Sequence, residues 1–210
     1  VQGTSTYVSG TSYDAEGRIR QRHLENGTLQ QQWEYFAWTT NTGMGRVSAI
    51  KGGTSGNATA LQQLAYTYDV PGNVLTIADA KVTGGTQTQT FTYDAWDRIK
   101  SAVVSGGNTG QGQYTENYDY DAYGRLDDKA GLAMSYGTGH PHAVTGYNGA
   151  TYSYDNTGNQ TGRDFTGSAN DMTLTYDAEN RLIKVVKGIS TVAEFLYDGD
   201  GNRLQAKHPG

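Results

Sequence analysis

Histidines are the residues in this chain whose chemistry points most directly to a metal. His140 and His142 are spaced two residues apart, so both side chains could face one ion from a β-strand. A metal site needs further ligands of matching type, and the intervening Pro141 favours a turn or a strand edge. We therefore predict no metal site and no cofactor here, with metal binding as the alternative.

A second candidate is an acidic segment near the end of the chain. Asp198, Asp200 and Asn202 have the spacing that begins a calcium-binding loop. Such a loop needs Gly at its sixth position and Glu at its twelfth, where this chain has Arg203 and Pro209. The segment is therefore interpreted as a turn between two strands, and calcium binding is the alternative.

Catalytic motifs are missing from the sequence. Serine and histidine occur, but no Gly-x-Ser-x-Gly segment does. A pair of carboxylates for glycoside cleavage stays open, although each repeated aspartate already has a role in a turn. We predict a protein that is not an enzyme and has no catalytic residues. A strongly shifted carboxylate pKa away from the repeated turns would favour an enzyme instead.

The aspartates belong to a repeat in which Tyr-Asp recurs in register seven times. Successive Asp residues are 55, 25, 27, 34, 22 and 21 positions apart. The longest gap has room for a degenerate unit over 33–47, and the gap of 34 holds an off-pattern insert over 135–144. This spacing predicts about eight or nine stacked units across residues 1–210, as one repeat segment.

Each unit has the pattern of a β-hairpin. The residue two before the Tyr is usually apolar, which puts both on one face of a strand. The third residue after the Asp is Gly, Asn or Asp, types that tolerate positive φ, and the fourth is Arg or Asn. The Asp carboxylate can accept hydrogen bonds from the turn. Near Asp198 we predict a turn one residue longer, with Leu204 as the next apolar residue.

The repeat positions are predicted to be structural. They are Tyr13, Asp14, Gly17, Arg18, Tyr68, Asp69, Gly72, Tyr93, Asp94, Arg98, Tyr120, Asp121, Gly124, Arg125, Tyr154, Asp155, Gly158, Tyr176, Asp177, Arg181, Tyr197, Asp198 and Gly201. We expect the Tyr rings to fill the layer between strands and each Arg to pair with an Asp of its own or a neighbouring turn. The alternatives are a ligand platform for the Tyr-Asp pairs and an acidic partner for the arginines.

Composition agrees with strands and turns. The chain has 29 Gly, 16 Tyr, 3 Pro and no Cys, which excludes disulfides and thiol chemistry and disfavours a helical bundle. The net charge is −5 without a basic stripe, so nucleic acid is not an expected partner. No apolar run is long enough to span a membrane. The one helix-like stretch, 58–65, leads directly into Tyr66-Thr67-Tyr68 and is predicted to be a strand.

Several segments resemble the YD repeat of the RHS-repeat family. They include Tyr13-Asp-Ala-Glu-Gly-Arg-Ile19, Tyr120-Asp-Ala-Tyr-Gly-Arg-Leu126, Tyr176-Asp-Ala-Glu-Asn-Arg-Leu182 and Tyr197-Asp-Gly-Asp-Gly-Asn-Arg-Leu204. The segment His140-Pro-His-Ala-Val-Thr145 followed by Tyr152-Ser-Tyr-Asp-Asn-Thr-Gly-Asn159 is also similar to that family. The resemblance covers nearly the whole chain and is weakest over 24–43.

This resemblance implies an all-β fold of consecutive antiparallel hairpins in one curved, spiralling sheet. The family includes bacterial RHS effectors, the shell component of insecticidal toxin complexes and animal teneurins, whose repeats wrap into hollow shells. Toxin members often release an enclosed toxin domain by aspartyl self-cleavage at an Asp-Pro-x-Gly-type motif. This chain lacks that motif, so neither protease nor payload is carried over.

The resemblance also sets expectations for function, partners and location. It implies a non-catalytic structural segment of a secreted or cell-surface protein, forming the wall of a shell or a self-assembling fibre. Open strand edges would pair with further YD repeats of the same chain or with other copies. The alternative is a module that binds a glycan or a cell-surface receptor, for which exposed Trp33, Trp38 and Trp96 would be the supporting feature.

Overall fold

The computed structural model describes residues 7–110, 112–165, 167 and 169–208, without the side chain of residue 26. Over that part of the chain it contains eighteen strands and one short 3₁₀ helix, Glu25–Gly27. The chain divides into two compact units, residues 1–117 and 118–210. Residues 58–65 lie within one long strand, so the prediction of a strand there is confirmed.

The first unit holds eight strands and the start of a ninth. They are β1 (Val8–Tyr13), β2 (Ile19–Leu24), β3 (Leu29–Tyr35), β4 (Val47–Thr54), β5 (Asn57–Tyr68), β6 (Val74–Asp79), β7 (Gln87–Tyr93), β8 (Ile99–Gly106) and β9 (Thr115–Tyr120). The second unit begins inside β9. It continues with β10 (Leu126–Lys129), β11 (Leu132–Tyr136), β12 (Val144–Tyr147), β13 (Ala150–Tyr154), β14 (Gln160–Asp164), β15 (Met172–Tyr176), β16 (Leu182–Lys187), β17 (Ser190–Tyr197) and β18 (Arg203–Lys207).

Every strand pairs antiparallel with the strand that follows it in the chain. The predicted class, an all-β fold of consecutive antiparallel hairpins, is therefore confirmed. Because each strand pairs with its neighbours in sequence, each hairpin depends on the adjacent hairpins for packing.

Every odd-numbered strand ends in a tyrosine, and the turn that follows leads into the even-numbered strand. Seven of these turns contain the Tyr-Asp sequence. The other two tyrosines are Tyr35 and Tyr136, which pair with Val47 and Val144 across longer turns. The segment 135–144 is therefore not an insert between repeats, because it contains a hairpin turn of its own.

The turn near Asp198 has the same length as the other six, and the prediction of a longer turn was wrong. Asp198 N–H donates to the Asn202 carbonyl, as Asp14 N–H does to Arg18. Tyr197 then pairs with Arg203, and Leu196 pairs with Gln205. Leu204 is the extra residue of a β-bulge, which places it outside the regular pairing. A similar register shift occurs beside Tyr68 and Tyr93.

The two faces of the strands differ in chemistry. In β7, Phe91 and Tyr93 are half-buried, whereas Thr90 and Thr92 are exposed on the other face. The buried apolar residues are small for the most part: Ala49, Ala102, Val104, Ala150, Leu174 and Ala193. Within the described residues no side chain is less than 2% exposed. The ends of these strands position the turns.

Candidate functional site: the turn edge

The repeated polar residues lie along one edge of each unit, because every turn from an odd-numbered to an even-numbered strand lies on the same side of a meander. We call this row of turns, with the tyrosines that precede them, the turn edge. The predicted repeat residues are thus brought together turn by turn, by the pairing of neighbouring hairpins, rather than at a single centre.

Each turn is closed by its aspartate. Asp14 Oδ1 accepts hydrogen bonds from the backbone N–H groups of Glu16 and Arg18, at 3.1 and 2.8 Å. Its other oxygen, Oδ2, accepts from Arg18 Nε at 2.7 Å. The Arg18 carbonyl accepts from Asp14 N–H at 2.9 Å. Both carboxylate oxygens of Asp14 therefore accept hydrogen bonds from donors in the same turn.

The other six Tyr-Asp turns are closed in a similar way, although in the turn of Asp69, where Pro71 has no N–H, Oδ1 accepts from the N–H groups of Gly72 and Asn73. The ion pair between the Asp and the fourth residue recurs at Asp94–Arg98, Asp121–Arg125 and Asp177–Arg181. Asparagine replaces arginine at Asp69–Asn73, Asp155–Asn159 and Asp198–Asn202, with Nδ2 donating to the Asp Oδ2 at 2.9, 2.9 and 3.1 Å. Both residue types therefore supply a donor to the same oxygen.

Hydrogen bonds from the tyrosine hydroxyls connect successive hairpins. Tyr93 Oη donates to the carbonyl of Val74 at 2.8 Å, and Val74 is the first residue of the preceding even-numbered strand. The same bond is made by Tyr35 to Ile19, Tyr68 to Val47, Tyr136 to Leu126, Tyr154 to Val144 and Tyr197 to Leu182. Each ring is thereby fixed against the hairpin before it.

The arginines at the fourth turn position also reach the next hairpin. Arg18 lies over the Tyr35 ring, 4.2 Å from its centroid, and its Nη1 donates to the Gly45 carbonyl at 2.6 Å. Arg181 lies 5.2 Å from the centroid of Tyr197. A guanidinium over an aromatic face is attracted by the ring quadrupole. The arginine therefore joins its own aspartate to the neighbouring tyrosine.

The pKa values of all seven repeat aspartates are lowered. For Asp14, desolvation raises the pKa, but hydrogen bonds from the backbone and side chain of Arg18 outweigh it. For Asp155, the side-chain bonds from Thr157 and Asn159 dominate and lower the pKa to about 2. These carboxylates are held as anions, which suits an acceptor in a turn better than a proton donor.

The histidines lie in the long turn after Tyr136. The ring Nε2 of His140 is 2.8 Å from the carbonyl oxygen of Asp155, within hydrogen-bonding distance. Its ring also lies 6.2 Å from that of Tyr154, centroid to centroid. Among the described residues, no group of three or more metal-ligating side chains is assembled. His140 thus contacts a backbone carbonyl and a tyrosine ring of the next hairpin, as an arginine does in other turns.

In the calcium-like segment, the carboxylate of Asp198 closes the turn. Asp198 Oδ1 accepts from the N–H groups of Asp200 and Asn202, at 3.0 and 2.8 Å. With Asn202 Nδ2 on Oδ2, donors face both carboxylate oxygens of Asp198. This is the arrangement of a hairpin turn rather than a set of oxygens around one ion.

Exposed aromatic residues lie at several of the turns. Trp38 and Trp96 are 59% and 72% exposed, whereas Trp33 is half-buried. In the second unit, Tyr123 lies beside an open groove of about 370 Å³ that Arg125, Tyr136, Pro141 and His142 also line. Aromatic faces of this kind can stack on flat or hydroxylated ligands.

A degenerate unit was predicted over 33–47, and the structure has a hairpin turn there, with Tyr35 paired to Val47. The sequence pattern did not identify Tyr35, Tyr136 or Arg46 individually as repeat residues. Neither tyrosine is followed by Asp, which was the signal used to count repeats. Arg46 precedes Val47 as Arg18 precedes Ile19, and its carbonyl accepts from Phe36 N–H at 2.9 Å, as the fourth residue does in every Tyr-Asp turn. A search for Arg followed by a β-branched residue would have found this position.

No family model matches the chain, and no curated protein has a significant match to its sequence. Among solved structures, the crystal structure of TcdB2-TccC3-Cdc42 superposes on 98% of this chain with a TM-score of 0.70 and 20% identity. The crystal structure of TcdB2-TccC3 without its hypervariable C-terminal region aligns with 91% of this chain, with a TM-score of 0.39 and 15% identity. This chain spans 11% and 13% of those two chains.

The likeness to TcdB2-TccC3-Cdc42 defines the class of fold. The chain has an RHS/YD-repeat-like fold, as the sequence predicted. A separate observation concerns membranes: no helix in the described part of the chain has the length and apolarity to cross one.

Proposed function

We propose that this chain is a non-catalytic structural segment of an RHS-repeat protein, forming part of the wall of a shell. The observation that carries the proposal is the use of the repeated polar groups. The turn aspartates, the fourth-position arginines and asparagines, and six tyrosine hydroxyls all bond within a turn or to a neighbouring hairpin. Residues that a site would present to a substrate are here used to hold hairpins together.

The location and partners belong to the same proposal. The wall is part of a secreted or cell-surface protein of bacterial toxin-complex type, and its strand edges pair with further YD hairpins. The likeness to a TcdB2-TccC3 chain over a tenth of its length supports a segment rather than a complete shell. Self-assembly into a fibre through the same edges is a variant of this function.

Electron microscopy of the native material, with the intact mass of the chain from the same sample, tests the proposal. Discrete hollow particles built from a much longer polypeptide are expected. Filaments built from chains of 210 residues would support the fibre variant instead. Dispersed single chains of 210 residues, with neither particles nor filaments, would contradict both forms of the structural function.

Recognition of a glycan or receptor is a second candidate, favoured by the exposed aromatics. Trp96 is 72% exposed and Tyr123 is 80% exposed, and neither ring is used between the paired strands. A glycan array with Trp96→Ala and Tyr123→Ala as matched controls tests this candidate. Binding that both variants retain, or no binding above background, would remove the aromatic turns as a recognition surface.

A further inference from the structure

In two turns the asparagine at the fourth position donates a hydrogen bond to a side chain of the next turn. Asn73 Nδ2, which also donates to its own Asp69, is 2.7 Å from Asp97 Oδ1 in the following hairpin. In the second unit, Asn159 Nδ2 is 2.8 Å from Asn180 Oδ1. An amide has two N–H donors, so one can serve its own turn and one the neighbouring turn.

The acceptors of these bonds occupy an unusual backbone position. Asp97 and Asn180 are the third residues of their turns and have φ values of 60° and 61°. Glycine occupies the third position of the other Tyr-Asp turns, as at Gly72 and Gly201. A side chain in the left-handed region is strained relative to glycine, although Asp and Asn tolerate it best. Asp or Asn is thus found at the third position of the two turns that follow an asparagine.

In the Tyr-Asp turns that follow an arginine, the third residue is glycine; Arg125 instead precedes the longer turn after Tyr136, which has no Tyr-Asp sequence. Arg46 Nη2 lies 3.3 Å from the Pro71 carbonyl, and a Cβ atom built on Gly72 would overlap the Arg46 guanidinium. Arg181 Nη1 donates to the Asp198 carbonyl at 3.0 Å, in a turn whose third residue is Gly201. The sequence repeats this order where Arg98 is followed by a turn with glycine as its third residue.

We propose that these pairings are a junction code, with Asn followed by Asp or Asn, and Arg followed by Gly. The outer edge of β18 then fits one kind of partner: a YD hairpin whose third turn residue is Asp or Asn. All five residues of β18 are exposed, and the fourth residue of its turn is Asn202. The chain's own first hairpin has Gly17 at that position, so a second copy is not the matched partner.

This inference rests on the proposed structural function. Four fusions of the full chain test the junction code and the proposed function separately. A copy of residues 172–187, which contains the turn of Asn180, is joined after residue 210 by a short Gly-Ser linker. The copy carries either Asn or Gly at the position of Asn180, and each version is made with Asn202 or with Asn202→Arg. Hydrogen exchange of the 203–207 backbone amides is then compared with that of the unfused chain.

The two matched fusions are Asn202 with Asn in the copy and Asn202→Arg with Gly in the copy. They should protect β18 more strongly than the two mismatched fusions. One net hydrogen bond corresponds to about a fivefold difference in protection, and the preference should reverse in the Asn202→Arg background. Equal protection in all four fusions would overturn the junction code and leave the wall function intact. No protection in any fusion would contradict the proposed function itself, because β18 would then not accept a YD hairpin.

Pairing of a second copy of the chain with the outer edge of β18 is measured separately. Sedimentation of the unfused chain should show no concentration-dependent association through β18. Dimers that disappear when Tyr13 is replaced by Phe would overturn the choice of partner. Tyr13 is 59% exposed and, among the described residues, its hydroxyl has no partner, so it is the group that a second copy would bring to β18.

Discussion

At the scale of the residue, the turn aspartate acts as an acceptor for several donors at once. The Asp–Arg pairing could be predicted because both residues lie in one turn, four positions apart. The bond between Asn73 and Asp97 could not, because its partners are 24 residues apart and belong to different turns. Sequence spacing therefore gave the contacts within a hairpin and missed those between hairpins.

A double-mutant cycle on Asn73 and Asp97 tests whether that bond stabilises the fold. Alone, Asp97→Gly relieves the strain of a positive φ but removes the acceptor. In the Asn73→Ala background it only relieves strain, so it should be more stabilising there by about 0.5–1 kcal/mol. Urea unfolding of the four proteins measures this coupling. Additive effects would show that the two side chains do not interact.

The stabilising role of Asp155 should depend on pH. Its folded pKa, about 2, lies below the ordinary value of 3.8, so the unfolded chain takes up a proton first as the pH falls. The contribution is therefore present above pH 3.8 and is lost as the pH falls towards 2. Thermal unfolding between pH 7 and pH 2 should show a smaller loss of Tm in Asp155→Asn than in the parent.

The exposed Asp127 provides the matched control for this measurement. Asp127→Asn should leave the acid dependence of Tm unchanged, because this carboxylate is not held by a Tyr-Asp turn. If both variants followed the parent curve, the low pKa of Asp155 would make no contribution to folding stability.

At the scale of the element, the unit is a hairpin fixed by its tyrosine. The apolar residue two positions before most of the repeat tyrosines predicted these strands, since that spacing places both residues on one face. Tyr35 and Tyr136 were missed because their turns lack Asp and are longer. The turn of Asp198 was predicted too long because Leu204, a bulge residue, was taken for the first paired residue of β18.

Replacing Tyr93 by Phe tests the hydroxyl that joins two hairpins. The variant loses the 2.8 Å bond to the Val74 carbonyl but keeps the ring, so we expect a loss of about 0.5–1.5 kcal/mol in unfolding free energy. Tyr13→Phe is the matched control, and its stability should be unchanged. Equal effects of the two substitutions would show that the bond between hairpins contributes nothing.

At the scale of the whole molecule, stability should be local, because each hairpin packs on its sequence neighbours. The repeat period predicts the same behaviour, because stacked units contact only their neighbours. It could not predict the small size of the core residues, because burial depends on how adjacent strands stagger. Ala49 and Ala193, for example, are buried where larger residues elsewhere are not.

Gly53→Ala should show how far a local defect spreads. A Cβ atom there would overlap the carbonyl oxygen of Asn57, so the backbone of the β4–β5 hairpin must move, at a cost of about 1–3 kcal/mol. Hydrogen exchange should increase in β4, β5 and the strands beside them, and stay unchanged in β15–β17.

Gly56→Ala is the control in the same hairpin, since a Cβ atom at Gly56 meets no neighbouring atom within 4 Å. It should leave exchange unaltered in every strand. An increase spread evenly over all strands in Gly53→Ala would mean that the fold unfolds as a single cooperative body.

The bond from Asn73 to Asp97 also bears on how genes for such chains can lengthen. Its two halves are encoded 24 codons apart, and those of Asn159 and Asn180 are 21 codons apart. A duplication that starts at the fourth residue of one turn, such as Asn73, and stops at the third residue of the next turn, such as Asp97, copies both partners together. One that copies a hairpin from its first strand to its second separates them. Crossover points within turns should therefore be inherited more often than crossover points between hairpins.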